Sequence, residues 1–277
     1  IARSVTGAAL MLEVMAAPDP ADPATQVATR RGFDADAALR PGALGGARLG
    51  VVRAFSGANA DVDGVFDAAL ESLAAGGAAL IEVELPEPLD NLWPVMGPVV
   101  DADFEVEFEA YLATLPEGAP RTIEDLIAIA QSPRIADSET PLNPARIDGF
   151  RDAVASGGYD SEARRRSVEE LIPEVRMELL ELLEPEGLDA LVFPTMPCPA
   201  SPRHDAEDPR YTCDIDDPYR PCYMASTSGF PEITVPAGVT ATDEMPVGVS
   251  FLGRPFTEAR LVGLAFDFEQ ATLARRV

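Results

Sequence analysis

The chain has 277 residues and sets 21 basic against 47 acidic side chains, a formal charge of −26 at pH 7. That length can bury a sizeable core as one large domain or two small ones, and 47% hydrophobic with 25% charged residues describes a globular protein. So acidic a chain is not a nucleic-acid binder, because phosphate contacts need a basic face, and no run of ~20 apolar residues crosses a membrane.

All 21 basic residues are arginine, so there is no lysine, and His204 is the single histidine. Schiff-base chemistry, a lysine base and a Walker-type phosphate loop are thereby excluded. Any Ser-His-Asp or Cys-His mechanism would rest on His204 alone. A GC-rich coding bias and a salt-adapted, carboxylate-dense surface both account for this composition, since concentrated salt screens like charge. Cys198, Cys213 and Cys222 form neither a CxxC pair nor a zinc pattern. Their odd number suggests free thiols in a reducing compartment. No secretory signal is visible in a chain that opens at Ile1 rather than Met, and the expected location is the cytoplasm. No cofactor or metal motif appears.

In chain order, Val5, Ala8, Ala9, Leu12 and Met15 recur at helical spacing behind a Ser4 cap, and the proline-aspartate run at 17–23 ends that helix. Residues 49–54 read as a strand, 62–75 as an amphipathic helix and 79–85 as a second strand after Gly76-Gly77. This is a βαβ unit, with parallel strands and a right-handed crossover. Helices dominate 101–184. One covers 101–115, another begins at Thr122 with Asp125 as its capping-box partner, and a long one spans about 160–183, interrupted by Pro173. Arg164, Arg165 and Arg166 on it read as a solvated face pairing with glutamates. Strands are expected at 190–193, 233–235 and 247–252, with a closing helix at 257–273. Residues 194–221 read as a long loop, and loops of that length are functional or mobile.

Three segments carry a resemblance. Leu-Asp-Ala-Leu-Val-Phe-Pro-Thr-Met-Pro-Cys-Pro-Ala (188–200) resembles the strand and Pro-Thr-x-Pro turn of amidase signature enzymes. Ser-Gly-Phe-Pro-Glu-Ile-Thr-Val-Pro-Ala-Gly (228–238) is similar to that family's Gly-x-Pro strand, and residues 245–261 are similar to its Pro-x-Gly segment. Phe-Glu-Gln-Ala-Thr (268–272) resembles the peptide-amidase-like branch. Ile-Ala-Arg-Ser-Val (1–5) resembles the segment following the family's nucleophile, although Gly7 departs from the acidic residue often found there.

The resemblance implies an α/β fold, a mixed β-sheet flanked by helices, and hydrolysis of linear amides through a Ser–Ser–Lys triad with a glycine-rich oxyanion loop. In the family these groups precede the segment matched here by residues 1–5. The chain is accordingly read as the C-terminal part of one amidase domain over 1–277, without the N-terminal catalytic half, and an incomplete reading frame is favoured over a naturally short protein. Within it, 48–85 is the βαβ unit, 101–184 mainly helical, and 188–277 the C-terminal strands and closing helix. The alternative is a non-catalytic homologue acting as a binding or scaffolding subunit.

No catalytic residue is assigned. Loops beyond the strand ends gather ligands in open α/β sheets, so Thr195, Met196, Cys198 and Tyr223 are expected to line the acyl side of a pocket for a small-molecule or peptide amide. Packing of the loop alone accounts for Tyr223 equally well and for Thr195, Met196 and Cys198 better. His204-Asp205 with Ser201 lies too close in a Pro-rich loop for triad geometry. Asp214, Asp216 and Asp217 lack the glycine and distal glutamate of a calcium loop.

Overall fold

The computed structural model describes residues 1–20, 25 and 32–275. They form two compact bodies, one of residues 1–91 with 177–277 and one of residues 92–176.

The first body is built on a five-stranded mixed sheet. Its strands are β1 (Arg48–Val52), β2 (Ala79–Val83), β3 (Ala190–Pro194), β4 (Glu232–Val239) and β5 (Pro246–Leu252), in spatial order β2-β1-β3-β5-β4. β1 runs parallel to β2 and β3, with Leu49 opposite Leu80 and Ala190. β5 runs antiparallel to β3 and β4, and Ser250 lies opposite both Phe193 and Thr234. The expected βαβ unit is present, with helix α2 (Ala60–Ala75) between β1 and β2. Asn59 caps α2, its Oδ1 accepting from the Asp61 and Val62 amides, and the turn after it bends at Gly77, whose φ of 98° suits glycine.

Successive strand residues point to opposite faces. Leu49, Val51, Ala190, Val192, Val235, Val249 and Phe251 share one face. They pack with Phe66, Ala69, Leu70 and Leu73 of α2 and with Leu261, Leu264, Ala265 and Phe268 of the closing helix Glu258–Thr272. Each large side chain fully buried here stabilises the fold by about 1.5–3 kcal/mol. The alternate residues Thr195, Gly248, Ser250, Glu232 and Thr234 therefore occupy the other face at the β3–β5–β4 end, and this is where polar chemistry gathers.

The first helix, α1 (Val5–Met15), is capped as expected, the Ser4 hydroxyl accepting from the Gly7 amide at 3.1 Å. Only some of the residues at helical spacing turn inward. Val5 and Ala9 are buried, but Met15 is 71% exposed, and Leu10, Met11 and Val14 are exposed beside it. Met15 ends the helix, while 21–23 of the proline-aspartate run lie outside the described residues. The 228–238 segment is corrected. It holds most of an eight-residue strand, longer than the expected 233–235, with a register irregularity between Pro236 and Gly238. β4 sits at the sheet edge, where prolines are tolerated because an outward position needs no ladder donor. Beside this segment Phe230 is buried and Ile233 packs on the core, whereas exposed apolar side chains gather on α1.

The second body is helical. A helix over Trp93–Leu112 begins earlier than expected, at Trp93-Pro94, because proline suits a first turn. The helix Ile123–Ala130 has a complete capping box. Thr122 Oγ1 accepts from the Asp125 amide at 3.1 Å, and Asp125 Oδ2 accepts from the Thr122 amide at 3.2 Å. Glu162–Arg166 leads into a wide π turn at Ser167–Leu171 just before Pro173, which relieves the proline's clash with the preceding turn. Arg164 pairs with Asp103 rather than a neighbouring glutamate, and Arg166 pairs with Glu170 at 3.7 Å.

Candidate functional site

β3 ends at Pro194, and the chain continues through Thr195 and Met196 to Cys198. The Thr195 amide donates to the Gly248 carbonyl at 3.0 Å, so β5 still holds this segment one residue beyond the strand. Three hydroxyls from three adjacent strands then meet. Ser250 Oγ, fully buried, lies 2.8 Å from Thr195 Oγ1 and 3.0 Å from Thr234 Oγ1. Burial pushes the Glu232 carboxyl, on the same strand face, above the usual carboxylate range, and the Ser250 hydroxyl opposes the shift.

Thr195, Thr234 and Gly248 floor a cavity of about 470 Å3, within the range of small-molecule sites. Gly248 keeps the floor open. A Cβ there would stand 2.9 Å from both Thr195 Oγ1 and Thr234 Cγ2. The walls come from the 196–219 segment, with Met196, Cys198, Pro199, Tyr211 and Tyr219 facing Pro246 and Val247.

This wall is tied down at several points. A disulfide joins Cys198 to Cys213, which corrects the expectation of free thiols for that pair. Residues so far apart in sequence are brought together only by the fold of the loop, so their spacing carried no signal. Cys222 stays free, its Sγ 3.6 Å from the Thr195 carbonyl and 3.5 Å from Met196 Sδ, and burial, then Glu232 and Asp217, push its thiol up. Beyond the disulfide, Asn59 holds Thr212, and the Asp214 amide donates to the Ala58 carbonyl at 2.9 Å. The Arg210 guanidinium pairs with Asp208 and holds that carboxyl down at about 2.

The end of the segment is a helix rather than loop. Arg220–Ser228 has Pro221 in its first turn, and Gly229, with φ 71°, terminates it as its amide donates to the Ala225 carbonyl. Arg220 anchors its start on Asp90.

Of the expected lining residues, Thr195, Met196 and Cys198 border the cavity. Tyr223 stands outside the lining, its hydroxyl 3.3 Å from Asp217 Oδ1, and burial followed by Asp217 pushes that hydroxyl up to about 12. Thr234, Gly248, Tyr211 and Tyr219, which also border it, were not foreseen. His204 is exposed, and Asp205 is held by Arg203 at 2.6 and 2.8 Å instead of orienting it, so no triad forms with Ser201. Among the described residues no group of three His, Cys, Asp or Glu is placed to hold a metal ion, and no helix is long and apolar enough to cross a membrane. The arrangement can bind and orient a ligand. It joins no nucleophile to a base.

The family model "Amidase" matches residues 1–262, and the chain belongs to the amidase family. It is 30% identical to a glutamyl-tRNA(Gln) amidotransferase subunit of Myxococcus xanthus, over 97% of this chain and 53% of that protein. It is 28% identical to a probable amidase of Arabidopsis thaliana, over 100% of this chain and 48% of the other. Among solved structures, native peptide amidase from Stenotrophomonas maltophilia superposes with a TM-score of 0.77 at 30% identity, covering 99% of this chain and 53% of that one. The chain thus spans about half the length of the relatives it matches.

Proposed function

We propose that this chain is the C-terminal part of an amidase domain that hydrolyses linear amides, with the Ser–Ser–Lys machinery in the part of the protein preceding Ile1. The observation that carries the proposal is the match to peptide amidase over 99% of this chain but 53% of the relative, in a sequence without a single lysine. On this reading Thr195, Met196 and Cys198 line the acyl side of the substrate pocket, and Tyr223 braces the wall by holding Asp217 beside Pro218 and Tyr219.

Two features support a further covering element. α1 exposes Leu10, Met11, Val14 and Met15 together, and such apolar patches mark contact surfaces. β4 is a terminal strand of the sheet. We further place the protein in a salt-rich cytoplasm on its charge, although the Cys198–Cys213 disulfide argues against a strongly reducing one.

The test is to read and express the segment encoded in frame before Ile1 together with this chain. A lysine and a Gly-Ser-rich run in that segment, with amide hydrolysis by the joined protein, are expected. A start codon next to Ile1, or a joined protein without turnover, would leave a non-catalytic scaffold as the better account.

A further inference from the structure

We propose that the cavity at the β3–β5–β4 end selects an uncharged aromatic ring of the substrate and turns carboxylates away. The word substrate rests on the amidase reading above, but the selection itself is a property of the cavity and can be measured without turnover.

Charge is the first ground. A quarter of the chain is charged, yet none of the residues bordering this cavity is. A carboxylate entering it would lose water and gain no cation. The protein's own −26 adds long-range repulsion.

The walls are the second ground. Tyr211 and Tyr219 stand with Pro199, Pro218, Pro246 and the thioether of Met196 around the space. Flat and polarisable groups of this kind favour aromatic rings through offset, edge-on and sulfur–ring contacts.

The floor sets the polarity. A serine hydroxyl has one proton to give and two lone pairs to offer. Ser250 Oγ lies within hydrogen-bond distance of both Thr195 Oγ1 and Thr234 Oγ1, and the two threonines border the cavity. They give it a neutral polar floor that suits an uncharged amide better than a carboxylate without a cation.

The experiment titrates the 277-residue chain with phenylacetamide, phenylacetate and acetamide, following binding by NMR. Phenylacetamide is expected to bind about tenfold or more tightly than either of the others, where a factor of ten is ~1.4 kcal/mol. Gly248→Ala, which places a methyl 2.9 Å from Thr195 Oγ1 and Thr234 Cγ2, should weaken phenylacetamide several-fold. Thr234→Arg, at an exposed position on the edge strand, should reverse the order in favour of phenylacetate. Equal affinity for the amide and the carboxylate, equal affinity for acetamide, no binding of any probe, or an unchanged order in Thr234→Arg would each overturn the proposal. Selective binding by a protein that never hydrolyses an amide would defeat only the amidase reading. Hydrolysis without the selectivity would defeat only this one.

Discussion

The Asn59 side-chain nitrogen donates to both the carbonyl and the hydroxyl oxygen of Thr212, each at 2.9 Å. Its oxygen meanwhile caps α2. One side chain therefore fastens the cavity wall to the helix of the βαβ unit. Asn59→Ala should cost about 1–2 kcal/mol in denaturant unfolding, the range of a lost N-cap. It should also speed tryptic cleavage at Arg203 and Arg210. Unchanged stability and cleavage would mean that the contact holds nothing.

The Cys198–Cys213 disulfide is the second fastening. Cross-linking a loop of about 15 residues contributes up to ~3 kcal/mol in the chain-entropy model. Alkylation without reductant should modify Cys222 alone, a peptide map should show the 198–213 link, and reduction should lower the melting temperature. Alkylation of all three cysteines before reduction would contradict the pairing.

Two carboxyls give opposite pH signatures. Glu232 is raised in the folded state, so across the window above its ordinary value the unfolded chain ionises while the folded one keeps its proton. Stability falls as pH rises through that window, and Glu232→Gln should remove the slope. Asp208 is lowered to about 2 from 3.8, so its contribution is complete above 3.8 and lost as pH falls toward 2. Asp208→Asn should remove that acid-side loss. Unfolding titrations of both variants check the two signs.

Much of the sheet was legible because it is local. Residues 48–85 carry strand, helix and strand with Gly76-Gly77 as punctuation, and the structure differs there only by a residue or two at the ends. The helix Arg220–Ser228 was not legible from periodicity, since Cys222, Tyr223, Thr227 and Ser228 are weak helix formers. Pro221 near its start and Gly229 at its stop were the available signals. The site was half legible. Thr195, Met196 and Cys198 follow a strand end, where ligands gather. Thr234 and Gly248 reach the cavity floor through strand register, a long-range property that no local pattern expresses.

The acidic surface predicts salt dependence. The Debye length falls from ~30 Å at 0.01 M to ~3 Å at 1 M, so repulsion among like charges is relieved. The melting temperature should climb as KCl rises into the molar range. A flat or falling curve would leave coding bias as the sole source of the composition.

The most direct measurement compares amide hydrolysis by this chain alone and by the same chain joined to the segment encoded before Ile1. The account predicts no turnover above background for the chain alone, because its cavity joins no nucleophile to a base among the described residues, and serine-dependent hydrolysis for the joined protein. Turnover by the chain alone that survives purification and disappears in His204→Ala would contradict it.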